Sequence, residues 1–171
     1  EAPLIDERLL ELSKRIHRYY LCGWGEVLEA VFPASLKPRK RVTELPVASD
    51  GEPDVTPPPL EETSQQALRA ISENRGDQGA KTFLLLGGTS EEKQEVIFQA
   101  IQKMLEKGLS TIVLYPEIAL IRNASSRFKS RFGREVCFFH SQLSPLDRYD
   151  IWKSIQEGKH RLVVGVRSAI F

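Results

Sequence analysis

From Leu60 onward the sequence alternates between short continuous apolar runs and longer stretches of helical periodicity, and this rhythm restricts the fold more than any other feature. The runs are TFLLLG (82–87), STIVLY (110–115), EVCFF (135–139) and RLVVGV (161–166). Strands that are apolar at every position, not every second one, predict a parallel sheet buried on both faces by helices. The clearest intervening helix carries Val96, Ile97, Ala100, Ile101, Met104 and Leu105 and should stop near Gly108. Leu68 and Ile71 mark a shorter helix before Gly76. Upstream, residues 4–36 read as helical: Leu9, Leu12, Ile16 and Tyr19 recur at helical spacing, and a second apolar stripe at Val27, Leu28, Val31 and Phe32 follows a break at Cys22-Gly23-Trp24-Gly25. Residues 37–59 have the composition of a linker, basic at KPRKR and then rich in proline. The expected organisation is therefore a helical segment (1–36), a linker (37–59) and an α/β unit (60–171).

Composition narrows the function classes. The net charge of +1 gives no global field that would draw nucleic acid or membrane, so any such site must come from local clustering. No apolar run approaches the ~20 residues that span a bilayer. Two cysteines, Cys22 and Cys137, cannot build a four-cysteine zinc site, and no histidine spacing completes one. Cys137 lies in an apolar run and reads as a buried, inert thiol in a reduced cytosolic setting.

The stretch GGTSEEKQ (87–94) sits between an apolar run and an amphipathic helix, the position of a phosphate-binding loop. Gly87 and Lys93 fit the pattern G-x-x-x-x-G-K-[ST]; Glu92 stands where the second glycine belongs, and Gln94 replaces the hydroxyl that ligates magnesium. Each of Glu91 and Glu92 beside a polyphosphate would cost about 4 kcal/mol at 4 Å and an effective dielectric near 20. The same acids favour a helix N-terminus by ~0.3–1 kcal/mol each. Two readings stay open: a nucleotide loop using Gly87, Gly88, Thr89, Lys93 and Gln94, or a structural turn whose acids cap the helix.

Several segments together resemble the PriA family of replication-restart helicases (primosomal protein N′, superfamily 2). FLLLGGTSEEKQEVIFQAI is similar to the family's phosphate-loop segment, F-L-L-x-G-V-T-G-S-G-K-T-E-V-Y-x-x-A-I. VLYPEIAL, RFKSRFGREVCFFHSQLS and RLVVGVRSAIF are similar to later helicase segments, and RYYLCGWGEVLEAVFP to a stretch upstream of the motor. The resemblance implies an incomplete RecA-like P-loop lobe, the first of a helicase motor, preceded by a helical remnant of an N-terminal DNA-binding region. It also implies ATP and Mg²⁺ as cofactors and ATP-dependent 3′–5′ DNA unwinding. Single-stranded or forked DNA, single-strand-binding protein and other primosome proteins are the implied partners, in a bacterial, nucleoid-associated cytoplasmic setting.

The departures are informative. The family's Thr-Pro-Gln after Pro-Glu-Ile-x-Leu is replaced by Ile121-Arg122-Asn123, and the Thr of Gly-Thr-Arg-Ser is Val166. The adenine-side Leu-Thr-x-x-Gln becomes Leu60-Glu61-Glu62-Thr63-Ser64. The stretch between Pro33 and Leu60 leaves no room for the family's winged-helix domain. The acidic Asp-Glu-Glu-His motif and the zinc-binding cysteines would lie past Phe171, so this chain alone is not expected to be a complete ATPase, and the altered phosphate loop is expected to impair the activity. An active helicase in a longer chain and a non-enzymatic primosome scaffold are the alternatives.

Candidate DNA contacts follow from charge and position. Arg127, Lys129, Arg131 and Arg134 form a basic cluster, and Arg167 and Ser168 follow a strand at its carboxyl end, where open α/β sheets place ligands. KPRKR is a further candidate or a solvated linker. His140-Ser141 has no acid partner at readable spacing, which argues against a Ser-His catalytic unit. Tyr19, Tyr20 and Trp24 could stack bases, but their apolar helical spacing favours core or interdomain anchors.

Overall fold

The structure, a computed structural model, describes residues 5–31, 58–73 and 79–171. The candidate DNA stretch at 37–41, most of the expected linker, Phe32-Pro33 and Gly76 lie outside the described residues.

Two helices open the chain, α1 (Glu7–Tyr20) and α2 (Trp24–Val31). The Asp6 carboxylate accepts the Leu9 N–H at 2.7 Å and starts α1 as an N-cap. Trp24 fastens the pair: its indole N–H donates to the buried Ser13 hydroxyl at 3.1 Å. Next come α3 (Glu62–Ser72) and α4 (Ser90–Glu106), packed through Leu68, Val96 and Ala100. The remainder alternates as β1 (Thr111–Leu114), α5 (Ile118–Phe132), β2 (Val136–Phe139), α6 (Pro145–Gln156) and β3 (Leu162–Gly165).

The three strands form one parallel sheet in the order β1-β3-β2. Parallel neighbours need long crossovers, which α5 and α6 supply. One sheet face packs Phe138, Leu162 and Val164 against Phe98, Ile101 and Leu105 of α4 and Ile121, Phe128 and Phe132 of α5. The other face packs Cys137, Phe139 and Val163 against Trp152 of α6. Burial pushes the Cys137 thiol up to about 12, the inert state expected of it. The central position of β3 explains its composition, since both edges and both faces are covered.

Three of the four expected strands appear within a residue of their expected limits. The fourth does not. Thr82–Gly87 runs outside any ladder, with Leu84 80% and Leu86 78% exposed and only Leu85 turned into the α3–α4 contact. An apolar run becomes a strand only when a neighbour accepts its N–H and C=O groups. The described sheet stops at β1, whose Ile112 and Leu114 are half exposed. The α/β parallel architecture is thus as expected, with a smaller sheet than the sequence pattern suggests.

Candidate nucleic-acid interface

The carboxyl ends of β1 and β3 open onto one cleft of about 570 Å³, lined by Pro116, Glu117, Ile118, Ala119, Val166, Arg167 and Ser168. Its two walls grow from adjacent strands. After β1 the chain turns at Tyr115, whose N–H donates to the Gly165 carbonyl at 2.8 Å, and enters α5. After β3 it closes a 3-10 turn over Arg167–Ile170, fixed by the Ala169 N–H donating to the Val166 carbonyl at 2.7 Å. That turn folds back tightly over the sheet. A Cβ at Gly165 would meet both the Ala169 Cβ and the Phe139 carbonyl oxygen at 2.4 Å, so only glycine fits there.

The chemistry of the cleft suits an anion on one side. Arg167 is exposed, and the Ser168 hydroxyl is buried with no hydrogen-bond partner among the described residues. An orphaned buried hydroxyl can donate to an oxygen brought to it. The α5 N-terminus faces the same space, and its N-cap residue, Glu117, supplies no side-chain cap. Its first N–H groups remain open. Glu117 itself is exposed, and its carboxylate opposes an anion approaching from that side.

The expected basic cluster is distributed differently. Arg127 and Arg131 lie one turn apart on α5 and face α4. Arg127 Nη1 donates to Gln94 Oε1 at 2.5 Å, and Arg131 Nη2 pairs with Glu95 Oε1 at 3.1 Å. Lys129 instead places its ammonium over the Phe138 ring, 5.7 Å from the centroid. None of the three lines the cleft. Tyr115, just ahead of the cleft, has its phenol pKa raised by burial against the opposing influence of Arg127.

The phosphate-loop segment has a definite geometry. Gly87 and Gly88 take φ of +80° and +65°, conformations that favour glycine. The helix start behind them is capped from within. The Thr89 hydroxyl accepts the Glu92 N–H at 3.2 Å, and the Glu92 carboxylate accepts the Thr89 N–H at 2.6 Å. This is a complete capping box, and its signature T-x-x-E was legible in the sequence. Glu92 also crowds the turn, its Oε2 lying 2.8 Å from where a Cβ on Gly88 would sit. Gln94 is held by Arg127. The Lys93 ammonium makes no hydrogen bond or ion pair with the described residues.

Buried polar groups also gather after β2. His140 is 6% exposed, and its Nδ1 has no partner among the described residues. Burial first, and the charge of Arg122 second, hold its imidazole below the usual pKa. Arg122 is engaged by the Gln142 side chain. Ser141, the next residue, is exposed. The described residues contain no group of three or more His, Cys, Asp and Glu able to hold a metal. No described helix is long and apolar enough to cross a membrane.

Residues 1–33 match the family model described as the 3'DNA-binding domain (3'BD) of PriA. Among curated proteins, the chain is 45% identical to the replication restart protein PriA of Bacillus subtilis over 115 residues, covering 67% of this chain and 14% of that protein. It is 33% identical to the protein of the same name from Treponema pallidum over 168 residues, covering 98% of this chain and 25% of the relative. The Rickettsia prowazekii protein is 30% identical over 175 residues, with 100% of this chain and 26% of the relative covered. The chain thus spans a quarter or less of the first two relatives' length. Similarity over nearly the whole chain, together with the parallel α/β core, shows that the chain belongs to the PriA family of replication restart proteins.

Proposed function

We propose that this chain is a DNA-binding part of a replication restart protein and that its α/β portion is part of a RecA-like helicase lobe which grips the DNA backbone in the carboxyl-edge cleft. The observation that carries the reading is the unpartnered Ser168 hydroxyl beside exposed Arg167, facing the open start of α5. Arginine, a small hydroxyl and free helix N–H groups are the groups that hold phosphate without reading base sequence. The DNA-binding family model over residues 1–33 supports the same class of ligand.

The test is the salt dependence of binding to a fluorescent single-stranded oligonucleotide. Arg167→Ala is expected to weaken binding and to flatten the slope of log K against log salt by about 0.7, the loss of one phosphate contact. Ser168→Ala should weaken binding with little change in slope, because a neutral donor releases no counterion. Unchanged affinity and slope in Arg167→Ala would sink the cleft as the DNA site.

In this reading the Gly87–Gln94 segment is a closed turn that does not serve as a triphosphate site. Its helix start is occupied by Glu92, which presents a negative charge where a phosphate would need to lie. Calorimetric titration with Mg·ATP should give no sub-millimolar binding. Tight binding lost in Lys93→Ala would overturn this and favour an active ATP-dependent helicase.

A further inference from the structure

The end of α2 meets the α/β unit at Arg148 of α6. Arg148 Nη2 donates to the Ala30 carbonyl at 3.4 Å, a contact across 118 positions of sequence. Carbonyls in the last turn of a helix have no partner within the helix and carry partial negative charge, which favours a cation. α2 has no basic residue of its own in that turn, so Arg148 supplies one. The same guanidinium lies over the Phe139 ring, 5.0 Å from its centroid. Its Nε is buried with no hydrogen-bond partner among the described residues, and burial lowers the pKa of the group. A cation held with part of its hydrogen-bonding capacity unused calls for an explanation beyond its own stability.

Phe139 connects this contact to the cleft. Its carbonyl oxygen is an atom that stands against Gly165, at the base of the turn that carries Arg167 and Ser168. One arginine thus touches both the segment that matches the 3'DNA-binding domain model and the strand residue that backs the cleft. The apolar contact nearby is loose: a cavity of about 340 Å³ lies between Leu9 and Leu12 of α1 and Trp152 and Ile155 of α6. Apolar burial has no preferred direction. A directed bond and a ring contact can fix the angle between the helical pair and the sheet.

We infer that Arg148 is a positioning residue: it holds the α1–α2 pair and the carboxyl-edge cleft in one fixed arrangement, so that a single DNA strand engages both at once. The inference rests on the DNA-binding reading above and goes beyond it by assigning a role to a residue that need not touch DNA. Two linked sites bind a strand that reaches both about 10²–10⁴-fold more tightly than either site alone, and only while their geometry allows simultaneous engagement. Arg148 therefore acts on the binding of long strands and not of short ones.

The experiment uses the full chain and a length series of fluorescent oligothymidylates, from strands that fill one site to strands that reach both. Parent affinity should rise in a step at the length that bridges the sites. Arg148→Met, which keeps the apolar stem and removes the cation, should lower long-strand affinity at least about tenfold and leave short-strand affinity unchanged. Arg148→Lys, whose single ammonium cannot serve ring and carbonyl together, should lose part of the step, and it supplies the same readout if a thermal melt shows the methionine variant unfolded. A step of parental height in a folded variant overturns the inference. So does an equal loss for short and long strands, which would make Arg148 a direct DNA contact or a prop of the whole fold. A parent that binds strands with no step in length overturns it as well. A parent that binds no strand overturns the underlying DNA-binding reading instead.

Discussion

Phe128→Ala is expected to lower the unfolding free energy by about 3–5 kcal/mol, read as a lower urea midpoint at an unchanged m-value. Phe128 is 1% exposed and is the hub of an aromatic cluster. Its centroid lies 4.8 Å from Phe98, 6.1 Å from Phe132 and 6.5 Å from Tyr115. These neighbours come from α4, from α5 itself and from the turn after β1, so the ring joins the layers that hold the sheet. Truncation removes both its transfer free energy and its contacts, and three ring neighbours on separate elements cannot all close on the void. A loss below about 1 kcal/mol would mean that the cluster collapses around the gap and that Phe128 is not its hub.

Arg131→Met should destabilise the chain by a similar amount, about 3–5 kcal/mol, for an electrostatic reason. The Arg131 and Glu95 side chains are 7% and 16% exposed and meet at 3.1 Å between α5 and α4. Gln99 Nε2 also donates to the same Glu95 oxygen, at 2.8 Å. Removing the guanidinium leaves a largely buried carboxylate with one amide as its partner. Replacing both ends, as in Glu95→Leu/Arg131→Met, should recover most of the loss, since an apolar pair leaves no charge to solvate. A double variant as unstable as the single would assign the loss to packing of the arginine stem and not to the stranded charge. Urea denaturation of the three variants distinguishes the two.

Arg131 also shows where sequence reading reached its limit. The run of basic residues on one helix is legible in the sequence, but the partner of Arg131 lies 36 positions upstream on another helix. Nothing local marks that pairing. The strands at 111–114, 136–139 and 162–165 were legible because unbroken apolar runs are a local signal, and the latter two are buried on both faces while the first is half exposed. The run at 82–87 carried the same signal and failed, because a ladder needs a second strand and the sequence does not say whether one is within reach. Tyr19 and Tyr20 are not part of the described core: helical spacing states which side chains share a stripe, not what will cover it. The placement of Arg167 and Ser168 just past a strand was legible because an apolar run marks where that strand ends. Pro116–Ala119, the facing wall of the cleft, was missed because it is close to Arg167 only through β1–β3 pairing.

The Gly165 contact bears on the thermodynamics of ligand capture. The turn carrying Arg167 and Ser168 hangs from the central strand of the described sheet, hydrogen-bonded on both sides, and it is wedged against Phe139 and closed by its own backbone hydrogen bond. Its backbone entropy is therefore surrendered when the chain folds and not when a ligand arrives. If the proposed phosphate binds there, it would immobilise little beyond the arginine side chain, so more of each contact's free energy would be retained as affinity. A larger side chain at position 165 would return that entropy to the unbound turn and weaken binding without touching the ligand.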